Sequence, residues 1–145
     1  MSIKGQMHVQ EYVYDFDLDG GAQGAISLSA KSDAAPLPIG AIVNDVYARV
    51  LTAVAGTSST LEWGNTTDPD GFSGVAIAEA SLTADSMHNA SGNAGALLWD
   101  DTNDHMIPFL VAAADDQDFS VTVGTADLTA GKVVFVVEYY FPRAE

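Results

Sequence analysis

The stretch DFDLDGG, residues 15–21, places Asp15, Asp17 and Asp19 at alternate positions and follows them with Gly20. Oxygen ligands at that spacing, with a glycine for a sharp turn, are what a loop offers to calcium. The complete calcium loop carries a glutamate at its twelfth position and is flanked by helices. Counted from Asp15 that position is Ile26, and the upstream segment is not helical in pattern. Over residues 8–19, His8, Gln10, Tyr12, Tyr14, Phe16 and Leu18 fall on one side, and Val9, Glu11, Val13, Asp15, Asp17 and Asp19 on the other. Period two is the strand signature, with the aromatic side turned inward. The three aspartates are therefore read as a solvated strand face rather than a cation site.

Other groups capable of chemistry are scattered. DPDG, residues 68–71, reads as a turn with proline at its second position. DDTND, residues 100–104, reads as a solvated acidic turn. His8, His88 and His105 lack the spacing of a zinc pair. There is no G-x-S-x-G elbow and no cysteine, which removes the common nucleophiles, disulfides and thiolate metal sites. The glycine-rich DGGAQG, residues 19–24, lacks the Lys-Ser/Thr ending of a phosphate loop. With 20 acids in 145 residues, some carboxylate pair always looks fit for glycoside hydrolysis, so that pattern carries no information. Trp63 and Trp99 would stack on sugar rings if exposed; the alternation of Trp63 with Leu61 favours the core. No catalytic, cofactor or metal residue is assigned.

The elements that must position these residues are strands. Residues 25–29 form a short second strand, and Pro36 and Pro38 make residues 31–40 a loop. Residues 42–55 form the strongest strand. Val46, Ala48, Val50, Thr52 and Val54 share one face; Val43, Asp45, Tyr47, Arg49 and Leu51 share the other. Residues 56–59 turn and 60–64 return, which predicts a hairpin. Residues 75–82 fit strand or helix, and 83–95 read as polar loop. Short strands are expected near 96–99 and 105–113, with alternation again over 118–125. Residues 131–141, GKVVFVVEYYF, are apolar on both faces and suit a strand covered on both sides. Left at an edge, such a strand would drive self-association. Many short strands with almost no amphipathic helix predict an all-β, single-domain β-sandwich, jelly-roll-like, over residues 8–145, preceded by an N-terminal arm at 1–7.

Charge narrows the partners. Against 20 acids stand only Lys4, Lys31, Arg49, Lys132 and Arg143, a formal net charge of −15. Direct nucleic-acid binding and docking on anionic lipid are disfavoured. Solubility at high local concentration is favoured. The opening MSIKGQMHVQ lacks the apolar run of a signal peptide, and no segment approaches 18 apolar residues, so no membrane partner is expected.

Two stretches add a resemblance. NDVYARVLTAVAGTSSTLEWGNTTDPDGF, residues 44–72, resembles a segment of the small auxiliary capsid proteins of tailed bacteriophages: a strand ending in Thr-Ala, a glycine turn, a Thr-Leu strand and an Asp-Gly loop. DLTAGKVVFVVEYYF, residues 127–141, is similar to their common ending. Together these cover about a third of the chain. The resemblance implies a non-enzymatic capsid decoration (cement) protein located on the virion. Its copies would sit on the outside of a head and clamp neighbouring capsomers of the major capsid protein. Self-association is expected with it, as a homotrimer. It assigns no site residue. The alternative from the residues alone is a calcium- or carbohydrate-binding β-sandwich module.

Overall fold

Apolar alternation becomes two packed sheets in the computed structural model, which describes residues 6–89 and 97–142. Residues 1–5 of the expected arm lie outside the described residues, as do Lys4, Arg143 and part of the expected 83–95 loop. Met7 belongs to the first strand. The strands are β1 (Met7–Asp15), β2 (Gly24–Ser27), β3 (Ile42–Gly56), β4 (Thr60–Gly64), β5 (Ile77–Ala78), β6 (Met87–Asn89), β7 (Trp99–Asp100), β8 (His105–Met106), β9 (Phe109–Leu110), β10 (Ser120–Gly124) and β11 (Leu128–Tyr140). One sheet runs β1-β11-β3-β6 with β9 also on β3; the other runs β2-β10-β4-β5; β7 and β8 form a separate hairpin. With β7, β8 and β9 set aside, the first strand pairs the last, the second the second-last, the third the third-last, and the middle two each other. That nested pairing, wrapped over two sheets, is a jelly roll, as the spacing of the strands predicts.

The core lies between the sheets. Tyr12, Tyr14, Val46, Ala48, Val50, Val133, Phe135 and Val137 face Leu61, Trp63, Val121 and Val123, all essentially without solvent contact. An aromatic chain links the layers: Trp63 to Phe135 at 5.1 Å, Phe135 to Phe119 at 5.2 Å, and Phe119 stacked on Tyr12 at 4.8 Å. A ring that buries about 200 Å² contributes several kcal/mol from transfer alone.

Four expectations are corrected. First, the strand over 8–19 stops at Asp15, and residues Phe16–Asp19 form a one-turn helix. The aspartates compete with the ladder for backbone donors. Asp15 Oδ1 accepts the Asp17 N–H, and Asp19 Oδ2 accepts the Asp15 N–H. Gly20, at φ 77°, ends the turn. Leu18, expected inward, is 78% exposed.

Second, β3 and β4 are not a hairpin: they lie in opposite sheets. Ser58 takes φ 60° at the crossover, and the Glu79 carboxylate accepts the N–H groups of Ser58 and Ser59.

Third, Val43 is buried like Val46 and Ala48 and does not share the face of Asp45, Tyr47 and Arg49, where the alternation put it. Asp45 pairs Glu138 while Val43 pairs Tyr139, so Asn44 is the extra residue of a bulge that shifts the phase by one. A second register shift near Leu51 leaves Thr52 exposed instead of core-facing.

Fourth, β11 is covered on one face only among the described residues. It is the central strand between β1 and β3, and Val134, Val136 and Glu138 on its outer face are half-buried. Any self-association therefore does not arise from a β11 edge.

Candidate functional site

The outer face of the β1-β11-β3-β6 sheet is built by strand register. Antiparallel pairing sets side chains in cross-strand rows. One row holds Val9, Glu138 and Asp45. The next holds Glu11, Val136, Tyr47 and Asn89. The third holds Val13, Val134, Arg49 and Met87. A fourth holds Asp15, Lys132 and Thr52, with Lys132 Nζ 3.8 Å from Asp15 Oδ2. Val9 and Met87 are 56% and 59% exposed, and the valines between them are half-buried. No layer lies over this face among the described residues.

Its electrostatics are uneven. Asp45 and Glu138 are direct cross-strand partners, and like charges so placed repel. Burial raises the pKa of Asp45, with the Val46 N–H opposing. Asp45 Oδ1 is buried and meets no hydrogen-bond partner among the described residues. The Asp45 residue borders a notch of about 370 Å³ lined also by Tyr47, Met87, His88 and Asn89. Arg49, two residues beyond Tyr47, has one 3.7 Å contact to Asp85, and both side chains are largely exposed. Such a pair is worth at most about 1 kcal/mol.

The residues singled out by sequence lie elsewhere and do not converge. Asp15 and Asp19 serve the one-turn helix and its ion pairs with Lys132 and Lys31. The DPDG turn forms as read: Gly71 N–H donates to the Asp68 carbonyl at 3.0 Å around Pro69. Asp68 is pushed up to about 6, first by burial, then by a hydrogen bond with Asp70 and the charges of Asp70 and Glu62. Asp100 closes the β7–β8 turn by accepting the N–H groups of Thr102 and Asn103, and the hydrogen bonds from Asn103 lower its pKa. His8 stacks on Tyr139 at 5.4 Å, His88 lies 3.1 Å from Ser86 Oγ, and His105 sits on β8. Among the described residues no group of three His, Asp or Glu is arranged around a common cation position. Trp63 is fully buried, as its alternation predicts, and presents no sugar platform; Trp99 is half-buried opposite Met106.

The outer face escapes the sequence reading because the bulge at Asn44 hides the pairing of Asp45 with Glu138. The available signal was the double apolar character of residues 133–137, read there as burial.

No family model and no curated protein matches the chain. Among solved structures it is similar to a chain of the cyanophage Pam1 capsid asymmetric unit, with TM-score 0.61 and 18% identity over 98% of this chain and 89% of that one. It is also similar to a chain of the acidic stable capsid structure of Helicobacter pylori bacteriophage KHP30, with TM-score 0.53 and 16% identity over 99% and 94%. At these identities the likeness is one of fold.

Proposed function

We propose that the protein is a non-enzymatic structural protein of a phage virion: a decoration (cement) protein that binds the outside of the head and stabilises it. The observation that carries this reading is the extent of the fold likeness. It spans 98% of this chain and 89% of a chain from a cyanophage capsid, leaving little of either fold unmatched. The resemblance of residues 44–72 and 127–141 to auxiliary capsid proteins is a second, sequence-based support.

The physical properties fit. A net charge of −15 keeps copies soluble at high concentration and disfavours packaged nucleic acid as the partner. A nested two-sheet fold resists local opening, because its terminal strands β1 and β11 pair with each other along their length. The partners in this reading are the major capsid protein and further copies of the chain, associated as a trimer. The test is co-sedimentation of purified chain with heads that lack it, followed by heating. Saturable binding that raises the temperature of head rupture is expected. Absence of binding at micromolar chain overturns the reading.

A further inference from the structure

The self-association in that reading has no surface assigned to it, and the outer face of the five-stranded sheet supplies one. On β3, Tyr47 lies midway between Asp45 and Arg49; on β11, Val136 lies midway between Glu138 and Val134. Tyr47 and Val136 are themselves direct cross-strand partners. We propose that this face packs against the same face of a second copy across a two-fold axis running along the row through Val136 and Tyr47.

Such an axis keeps each strand over its own counterpart, reverses its direction, and exchanges the rows on either side. Asp45 of each copy then faces Arg49 of the other. Glu138, cross-strand partner of Asp45, stands one strand away, about 4.8 Å across the sheet. The incoming guanidinium thus meets two carboxylates, and its planar fork suits both. Each copy provides one such site, as an isologous contact requires. Between the two sites Val136 meets Val136 and Tyr47 meets Tyr47, while Val9 lies over Val13 and Glu138 over Val134. At the rim, on the edge strand β1, the exposed Glu11 meets its own counterpart, a like-charge contact that the two Asp45–Arg49 sites must outweigh. Two sheets packed in this way stay within about 30° of alignment, which leaves the rows in reach of one another.

A second copy answers what the single chain leaves open on this face. It brings a cation to the Asp45 carboxylate and so offsets the repulsion between Asp45 and Glu138, offers Arg49 a better partner than Asp85 at 3.7 Å, and covers the exposed Val9. The four-stranded sheet and the loops remain free for three-fold association or for a particle. The pairing rests only on the self-association part of the functional reading.

Charge exchange tests the geometry. The mass of the full chain is followed by sedimentation velocity from about 1 to 100 μM, the range in which modest contacts populate. Wild type is expected to form pairs or multiples of pairs. Asp45→Arg and Arg49→Asp should each weaken pairing about tenfold or more, because each sets like charges face to face. The double variant, with both charges exchanged, should recover it. The chain has no cysteine, so Val136→Cys sets one thiol per copy on the axis, and mild oxidation should link pairs. Leu18→Cys, 78% exposed and off the face, serves as the control. Melting curves establish that each variant folds, and Val136→Asp, which sets like charges on the axis, is a second way to break the contact. A wild type that stays monomeric at about 100 μM, a double variant no better than the singles, or Val136→Cys linking no faster than Leu18→Cys overturns the proposal. Head binding is measured in parallel. A chain that binds heads without pairing overturns only the pairing; one that pairs without binding heads overturns only the virion reading.

Discussion

Lys31 Nζ lies 3.0 Å from Asp19 Oδ2, and the same oxygen accepts the Asp15 N–H at 2.9 Å. The Lys31 ammonium also donates to the Val13 carbonyl at 2.9 Å. The Asp19 side chain is only 8% exposed. The aspartate that most resembles a cation ligand therefore holds the turn after β1 to the loop that follows β2.

Removing it should be felt in stability. Asp19→Ala leaves a largely covered ammonium and a backbone N–H without their acceptor, and a loss of about 2–3 kcal/mol is expected in urea unfolding. Because the Asp19 carboxylate is already engaged, micromolar calcium should not raise the melting temperature beyond sodium chloride at matched ionic strength. A sharp calcium-specific rise abolished by Asp17→Asn would show that the acids form a site.

Trp63 sits fully buried against Phe135. Trp63→Ala should cost about 3–5 kcal/mol, the range for emptying a large aromatic site. Trp63→Phe should cost clearly less. The indole N–H has no partner among the described residues, so its removal also relieves an unmet donor. Equal losses for the two variants would mean that the N–H is bonded.

Much of the fold was legible because it rests on period two. Tyr12, Tyr14, Val46, Val50, Leu61 and Trp63 face inward as their alternation requires. What was not legible depends on partners distant in sequence. The bulge at Asn44 exists only against Glu138 and Tyr139, almost a hundred residues away, so Val43 was placed on the wrong face. The return from β3 to β4 reads locally like a hairpin. Only the pairing of β3 with β11 and of β4 with β10 reveals a crossing between sheets. The one-turn helix at Phe16 depends on aspartate capping, which outweighs the alternation that continues through Leu18. For the candidate site, sequence supplied the residue types and register supplied their neighbours.

Acidity should act through Asp68. Its folded pKa is about 6 and its unfolded value is near 3.9, so the folded state holds more protons between them. The stability contributed by this group is fully present below about 3.9 and is lost as pH rises through about 6. Asp68→Asn removes the charge, so at pH 7 the variant should melt above wild type, with the difference vanishing near pH 4. A variant that melts below wild type at pH 7 would refute this.

Salt should stabilise the isolated chain. A net charge of −15 repels itself most in the compact state. Three ion pairs are present among the described residues, and two of them are long and partly solvated. Shortening the Debye length from about 30 Å at 0.01 M to about 8 Å at 0.15 M should therefore raise the melting temperature. A fall would mean that ion pairs outweigh the repulsion.

The central claim is that the chain is part of the outside of a virion. The most direct measurement is quantitative peptide mass spectrometry on gradient-purified phage particles from a lysate of the cells that carry its gene, before and after surface labelling with an amine reagent that does not enter the head. The account predicts the chain in the particle band at a fixed ratio to the major capsid protein, with Lys132, 44% exposed, among the labelled amines. Recovery of the chain only from the soluble part of the lysate, or only inside unlabelled heads, would contradict it.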